Sequence, residues 1–462
     1  MPQSSPPILP VRGVHLDLKG LPPRPERLDR LLTLFAQMRF NAVLIEWEGM
    51  FPWRLDRGMR TEGCYTRAQV DRVHARCREL GLRVIPLVQS LGHLEMLLGL
   101  DRFAGLREVP GGADCLHPLH PDAADTVLAL VREVVDATPS LTHFHLGGDE
   151  AWELGTHPDS AAFVAERGAA ALYLRHYEPL LDWLAGRGIR PILWHDMMMD
   201  WPAEALQRIG QKADLMVWGY RGTPAQGRHH HRQEVLDRMD LPGVTLWGAS
   251  AFKGADGTHR DLPDAAARVE NNLGWAETAK KHDLAGVVAT GWSRYWAPHV
   301  QVEPLDAALP ELLRVAGILH DGEDPTEAGA EAFLRGCGEW GVVAPLRERL
   351  AAFESWCGQA WNTLRQAEEF LAGLELDPSR VRDGSVERIF KAVRGTLSQA
   401  EEAGAGIAPL LDPLVAASWG EHYAPARLDA IRNAYASLRG RAGHASAPAD
   451  AAEPARTPGV AA

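Results

Sequence analysis

Between about residue 10 and residue 300 the chain switches repeatedly between two hydrophobic periods. Short apolar or β-branched runs occur at Val11–Leu18, Ala42–Trp47, Arg83–Val88, His143–Gly147, Pro191–His195, Leu215–Gly219, Val244–Gly248 and Gly286–Gly291. Longer stretches with helical spacing lie between them. In Thr66–Leu82, Val70, Val73, Cys77 and Leu80 recur at helical intervals, and Thr66 with Gln69 forms a capping box at the start. Strands alternating with helices predict a parallel sheet with helical crossovers, and eight such units suit an α/β fold closed as a (β/α)8 TIM barrel. A doubly wound open sheet is the alternative, but no glycine-rich phosphate loop follows the first strand.

From about Pro304 to Leu438 the strand runs stop and helical patterns take over, at Pro345–Leu371 and Val386–Ala403. The expected division is a disordered N-terminus over 1–9, a catalytic barrel over 10–303, an α-helical C-terminal region over 304–440, and a disordered Ala/Pro-rich tail over 441–462.

Charge and cysteine content narrow the function. The 48 basic and 61 acidic residues leave a net charge of -13, which speaks against a nucleic-acid partner. Cys64, Cys77, Cys115, Cys337 and Cys357 are scattered and odd in number, which fits a reducing compartment better than a disulfide framework or a structural zinc site. The start lacks a basic segment followed by an apolar one, and no run approaches the ~18 apolar residues of a membrane span. A cytoplasmic protein with no membrane partner is the expectation.

Barrel enzymes carry their chemistry at the C-terminal ends of the strands. Those ends share a composition here: Arg12 and Asp17; Glu46, Trp47 and Glu48; Gln89 and His93; His145, Asp149 and Glu150; Trp194, His195 and Asp196; Trp218 and Tyr220; Trp247 and Lys253; Trp292, Arg294, Tyr295 and Trp296. Carboxylates, indoles and arginines on one rim suit a sugar, whose C–H faces lie on aromatic rings and whose hydroxyls seek charged partners. The run His143-Phe144-His145-Leu146-Gly147-Gly148-Asp149-Glu150 carries the most chemistry. Two adjacent acids in a cleft split into an ionised and a protonated member, the division of labour that glycoside hydrolysis needs.

These residues resemble glycoside hydrolase family 20, the β-N-acetylhexosaminidases, and within it the hexosaminidase D-like subgroup. The segments that carry the resemblance are Val14–Gly20, Leu44–Glu48, Val84–Gln89, His145–Glu150, Ser250–Ala255 and Thr290–Tyr295, in family order across roughly 10–300. The resemblance implies an exo-acting, retaining enzyme that removes terminal β-linked GlcNAc or GalNAc. The sugar's own acetamido oxygen attacks C1, an oxazoline-type intermediate forms, and water opens it. It implies Glu150 as general acid and then base, and Asp149 as the residue that orients the acetamido group. An ionised Asp149 would raise the pKa of Glu150 and keep it loaded with a proton.

The same resemblance assigns Arg12 to the outer hydroxyls and Trp194, Trp218 and Trp292 to the acetamido pocket. Tyr220, or else Tyr295, bonds the acetamido oxygen, and His93 and His145 support the site. The acid of the family's Trp-x-Glu is missing, since Trp292-Ser293-Arg294 stands there, and a Tyr-x-Asp at strand seven is missing too. Glu46 or Glu48 is left to take over the outer hydroxyls. No cofactor or metal is implied, and the partner is a small glycoside or oligosaccharide. Oligomeric state stays open, a homodimer through the helical region being one arrangement.

Two rival readings stand beside this one. His143 and His145 share one face of a strand, as in a metal-dependent barrel hydrolase that recruits His195 and Asp196. A catalytically silent carbohydrate-binding barrel is the other. Arg228-His229-His230-His231-Arg232 reads as an exposed loop, and Met197-Met198-Met199 as adaptable packing or pocket lining.

Overall fold

A computed structural model describes residues 6–224, 233–294, 301–377 and 384–445. Its centre is a closed barrel of eight parallel strands in sequence order: β1 (Arg12–Asp17), β2 (Ala42–Glu46), β3 (Arg83–Leu87), β4 (His143–His145), β5 (Arg190–Trp194), β6 (Asp214–Trp218), β7 (Leu246–Lys253) and β8 (Val287–Gly291). β1 closes on β8 through Gly13 opposite Val288. The sequence reading placed every strand to within two residues except the end of β7. That strand continues past Gly248 to Lys253, with a register irregularity between Ala251 and Lys253.

Alternation along each strand decides what reaches the bore. In β2, Val43 and Ile45 join the outer core against the helices, whereas Ala42 and Leu44 join the inner one. The inner cluster also holds Ile85, Leu87, Ile192, Trp194, Met216, Trp247, Ala249 and Val288, so the bore is packed rather than open. Parity then brings Glu46, His145 and Trp218 to the inner face at the strand ends.

The helices form where the periodicity put them. Pro25–Gln37 starts with proline at its first turn and buries Leu28, Leu31, Leu32 and Phe35. Arg67–Glu79 starts at the Thr66–Gln69 capping box. No described helix is long and apolar enough to cross a membrane.

The chain forms two compact units, residues 1–348 with 408–423, and residues 349–407 with 424–462. The expected boundary at 303/304 therefore moves. Leu309–Asp321 is the helix that follows β8, and it packs on β7, β1 and the helix Ala265–Lys281. A barrel needs that eighth helix to cover its last strand. The stretch 408–423 also belongs here: Ala416 donates its backbone N–H to Pro22 O at 2.7 Å, and Arg24 donates to Leu414 O at 2.8 Å. The ends differ from expectation as well. Leu9 is buried and Ile8 donates to His320 O at 2.9 Å, while the helix Trp419–Ala445 runs into the expected tail.

The second unit is helical. Phe353, Cys357, Ala360, Leu364, Ala367, Leu371 and Leu374 are buried at alternating steps of four and three, the seam of a coiled coil. Phe390, Val393, Leu397 and Ala400 supply a matching seam, and the hydroxyls of Thr363 and Thr396 meet at 2.8 Å.

Candidate active site

The loop that follows β4 is held by glycines and tyrosines. Gly147 (φ 64°) and Gly148 (φ 89°) both occupy the left-handed region. A Cβ on Gly148 would lie 2.4 Å from the hydroxyls of Tyr173 and Tyr177, and one on Gly147 would strike the Gln89 amide. Tyr173 donates to Gly148 O at 3.1 Å, and Ser90 donates to Leu146 O while its Oγ lies 3.0 Å from the Tyr177 hydroxyl. Behind the loop, buried Glu108 accepts from the backbone N–H groups of Gly155 and His157 and from Ser160 Oγ, and meets His117 Nδ1 at 2.9 Å. The adjacent acids thus ride on a rigid turn.

Asp149 and Glu150 line a pocket at the strand ends together with His93, Trp218, Tyr220 and Trp292. His93 Nε2 lies 3.3 Å from Glu150 Oε2 and 3.6 Å from Asp149 Oδ2. Asp196 accepts the Glu150 backbone N–H at 2.9 Å and the Trp218 indole N–H at 3.0 Å. Asp149 is buried, and among the described residues its Oδ1 meets no hydrogen-bond donor.

Electrostatics follow from this crowding. Burial pushes the Asp149 carboxyl up to about 7; His93 opposes the shift, and Asp196 and Glu150 add to it. Burial likewise lifts Asp196 to about 6, against its two donors. Burial works against the His93 imidazolium, yet Asp149, Glu150 and Glu95 outweigh it and raise His93 to about 10. Burial therefore works against the ionised Asp149 that the resemblance implies, and His93 works for it.

The walls are aromatic. Trp218 stacks on Tyr220 with ring centres 5.3 Å apart, and Tyr220 lies 6.2 Å from Trp292. Burial, with Asp149 nearby, keeps the Tyr220 phenol protonated well above its usual range, so it remains a donor. Trp194 is fully buried beneath these rings, 4.3 Å from His145 and 6.4 Å from Trp292, and does not line the pocket.

His145 is also beneath the pocket. Its Nδ1 accepts from Gly147 N–H at 3.0 Å, and burial depresses its pKa to about 3. His143 Nε2 instead lies 3.9 Å from Asp214 Oδ2, so the two imidazoles of β4 serve different partners rather than one shared centre. Of the residues set aside earlier, Met198 is buried in the core. The run Arg228–Arg232 and Tyr295 lie outside the described residues.

Several strand-end assignments are corrected. Arg12 is the first residue of β1, at the far end of the barrel, where it donates to Leu9 O at 2.7 Å and Arg39 O at 3.0 Å. It cannot reach a sugar at the other rim. Glu46 sits under the pocket floor, where its Oε1 meets Lys19 at 2.7 Å and Gln89 at 3.3 Å and its Oε2 lies 3.3 Å from His15. Trp47 faces outward onto Tyr65, Phe51 and His74, because it follows inward-facing Glu46 by one residue. Trp247, near the start of the longer β7, bonds Asp214 at 3.0 Å.

The pocket also contains residues that carried no assigned role: Lys19, Glu95 and Arg294. Lys19 lies just past β1, inside the Val14–Gly20 segment. Tyr173, Tyr177 and Glu108 had no signal in the sequence, because they act on the loop from distant elements.

This architecture and pocket have relatives. The family model described as Glycosyl hydrolase family 20, catalytic domain, matches residues 44–305. Hexosaminidase D from Bos taurus is 32% identical over 337 residues, covering 70% of this chain and 96% of that protein. Hexosaminidase D from Homo sapiens is 31% identical over 356 residues, covering 74% and 72%. The crystal structure of a chitobiase from Flavobacterium johnsoniae shares the fold with a TM-score of 0.57 at 14% identity, over 94% of this chain and 72% of that one. With the barrel closed, the acids at the end of β4 and the family match spanning most of the strands, the chain belongs to glycosyl hydrolase family 20 and is a glycoside hydrolase of the hexosaminidase D-like type.

Proposed function

We propose that this enzyme is an exo-acting, retaining β-N-acetylhexosaminidase that removes terminal β-linked GlcNAc or GalNAc by substrate-assisted catalysis. The observation that carries the reading is the Asp149–Glu150 pair against His93 in a pocket walled by Trp218, Tyr220 and Trp292. Retention by a protein nucleophile would need a second carboxylate across the glycosidic bond from the acid, whereas Asp149 and Glu150 both face His93, at 3.6 and 3.3 Å. A nucleophile already attached to the sugar removes that need and gains from proximity.

Glu150 gives its proton to the glycosidic oxygen as the C1–O bond breaks. The acetamido oxygen closes on C1, forming the oxazoline-type ring. Asp149, through the Oδ1 that has no hydrogen-bond partner among the described residues, takes the hydrogen bond of the acetamido N–H and balances the positive charge that develops there. Tyr220 donates to the acetamido oxygen, and Trp218 and Trp292 wall the group. Water then opens the ring at C1 from the face the leaving group vacated, and Glu150 takes its proton. Two displacements retain the configuration. No disulfide joins the five cysteines, which favours a reducing compartment such as the cytoplasm.

Hydrolysis of three nitrophenyl β-glycosides tests the reading: the N-acetylglucosaminide, the N-acetylgalactosaminide and the plain glucoside, with and without a chelator. Cleavage confined to the acetamido sugars and indifferent to chelation is expected. Comparable cleavage of the plain glucoside would mean a protein nucleophile. Activity lost to chelator would point to a metal hydrolase.

A further inference from the structure

With Arg12 at the wrong end and Glu46 beneath the floor, the outer end of the sugar needs another partner. We infer that Glu48, with Lys19 beside it, holds the outer hydroxyls of the terminal sugar and thereby sets the enzyme's choice between the gluco and galacto epimers. This rests on the hexosaminidase reading above.

Position is the first argument. In a barrel closed in sequence order, the ends of β8, β1 and β2 lie across the bore from those of β4, β5 and β6. The acids and the Trp218–Tyr220 wall belong to the second group, while Trp292, just past β8, closes the pocket from the first, with the Lys19 ammonium 5.6 Å from its ring. A pyranose with C1 and its acetamido arm on that side turns C4 and C6 to the other, where Glu48 and Lys19 line the same pocket.

Availability is the second. The Lys19 ammonium lies 2.7 Å from Glu46 and 3.3 Å from Asp17, and neither of those acids lines the pocket. Glu48 Oε1 is 3.9 Å from Lys19, beyond hydrogen-bond reach, and among the described residues the Glu48 carboxyl has no hydrogen-bond partner.

Backbone conformation is the third. Glu48 has φ 46°, in the left-handed region that L-residues avoid, and Trp53 Nε1 fixes its carbonyl at 2.8 Å. His93 (φ 54°) and Glu150 (φ 47°) are held the same way beyond β3 and β4. Left-handed non-glycine residues persist where surrounding structure enforces them, often at functional sites. Three in a row around one rim aim three side chains into one pocket.

Protonation fits the role. Burial lifts the Glu48 carboxyl to about 8, Lys19 opposing and Glu46, Asp17 and Glu95 adding. The Lys19 ammonium, disfavoured by burial, is kept charged by Asp17, Glu46 and Glu48. Side by side they offer a donor and an acceptor, which is what a hydroxyl, itself both, requires.

The test is a cycle between protein and substrate. Glu48→Gln and Glu48→Ala are compared with the wild type on the N-acetylglucosaminide and N-acetylgalactosaminide, and on their 4-deoxy and 6-deoxy analogues. Wild type is expected to lose roughly 10–100-fold in kcat/KM when the held hydroxyl is deleted. In Glu48→Ala that penalty should shrink to less than about threefold, because the contact is already gone. Glu48→Gln should recover part of it, and the epimer ratio should shift in both variants. Full deoxy penalties in the variants, or an unchanged epimer ratio in either, overturn the assignment while leaving the hexosaminidase reading intact. A wild type inactive on both acetamido sugars overturns that reading itself, and this inference with it.

Discussion

Asp196 accepts the backbone N–H of Glu150 at 2.9 Å. Its other oxygen takes the indole N–H of Trp218 at 3.0 Å, so one carboxyl couples the candidate acid to the pocket wall. A residue that acts only by positioning should affect turnover more than binding. Asp196→Ala is expected to lower kcat by roughly 10²-fold, the scale of a small misplacement of reacting groups. Asp196→Asn, which retains one acceptor, should lose less. Steady-state kinetics on a nitrophenyl N-acetylhexosaminide would show it, and a change confined to KM would contradict it.

Glu150→Gln should fold normally and lose ~10²–10⁴-fold in kcat on poorly activated leaving groups. An activated aryl leaving group needs little protonation, so its loss should be much smaller. Equal losses on both would remove Glu150 from the acid role.

Asp149 links activity to stability through its burial. Its folded pKa, about 7, is above the unfolded value near 3.9, so the folded state binds the proton more tightly. Stability is therefore lost as pH rises between those values, and the penalty is complete above 7. Asp149→Asn should be more stable than wild type at pH 8, by roughly 1–3 kcal/mol, with the gap closing towards pH 4. It should also cleave far more slowly. Urea unfolding at the two pH values would decide, a pH-independent gap counting against the linkage.

Gly148→Ala places a methyl against two tyrosine hydroxyls on a left-handed backbone. Thermal unfolding should show a loss of roughly 2–4 kcal/mol. Wild-type stability would mean that the turn relaxes more easily than its tyrosine clasp implies.

Arg12→Ala should leave kcat/KM unchanged within about twofold and cost roughly 1–3 kcal/mol of stability, because it removes buried hydrogen bonds at the far end of the barrel. A large rise in KM would return Arg12 to the sugar.

Much of this could be read from the chain before any contact was known. The eight strand runs and the Thr66 cap are local signals, spread over a few residues each, and they hold in the structure. The Gly-Gly-Asp-Glu turn announced its own geometry, because glycines before two acids have few other uses. Ranking among the rim residues was harder. Glu46 and Glu48 are equivalent in composition, as are Trp47 and Trp218. Parity along the strand separates the two tryptophans, and neighbours tens of residues away separate the two acids.

Hydrophobic period, the strand and helix runs and the adjacent acids were thus settled by the sequence itself, since each depends on residues within one turn or one pleat of each other. Closure of the barrel decided the rest. It sent Arg12 to the far end, let Lys19 consume Glu46 and Asp17, and kept Glu48 open to the pocket. It also buried Asp149 beside His93 and Asp196, raising a carboxyl that the sequence alone leaves ordinary. Burial and charge are properties of the space around a group, and that space exists only once β1 has met β8.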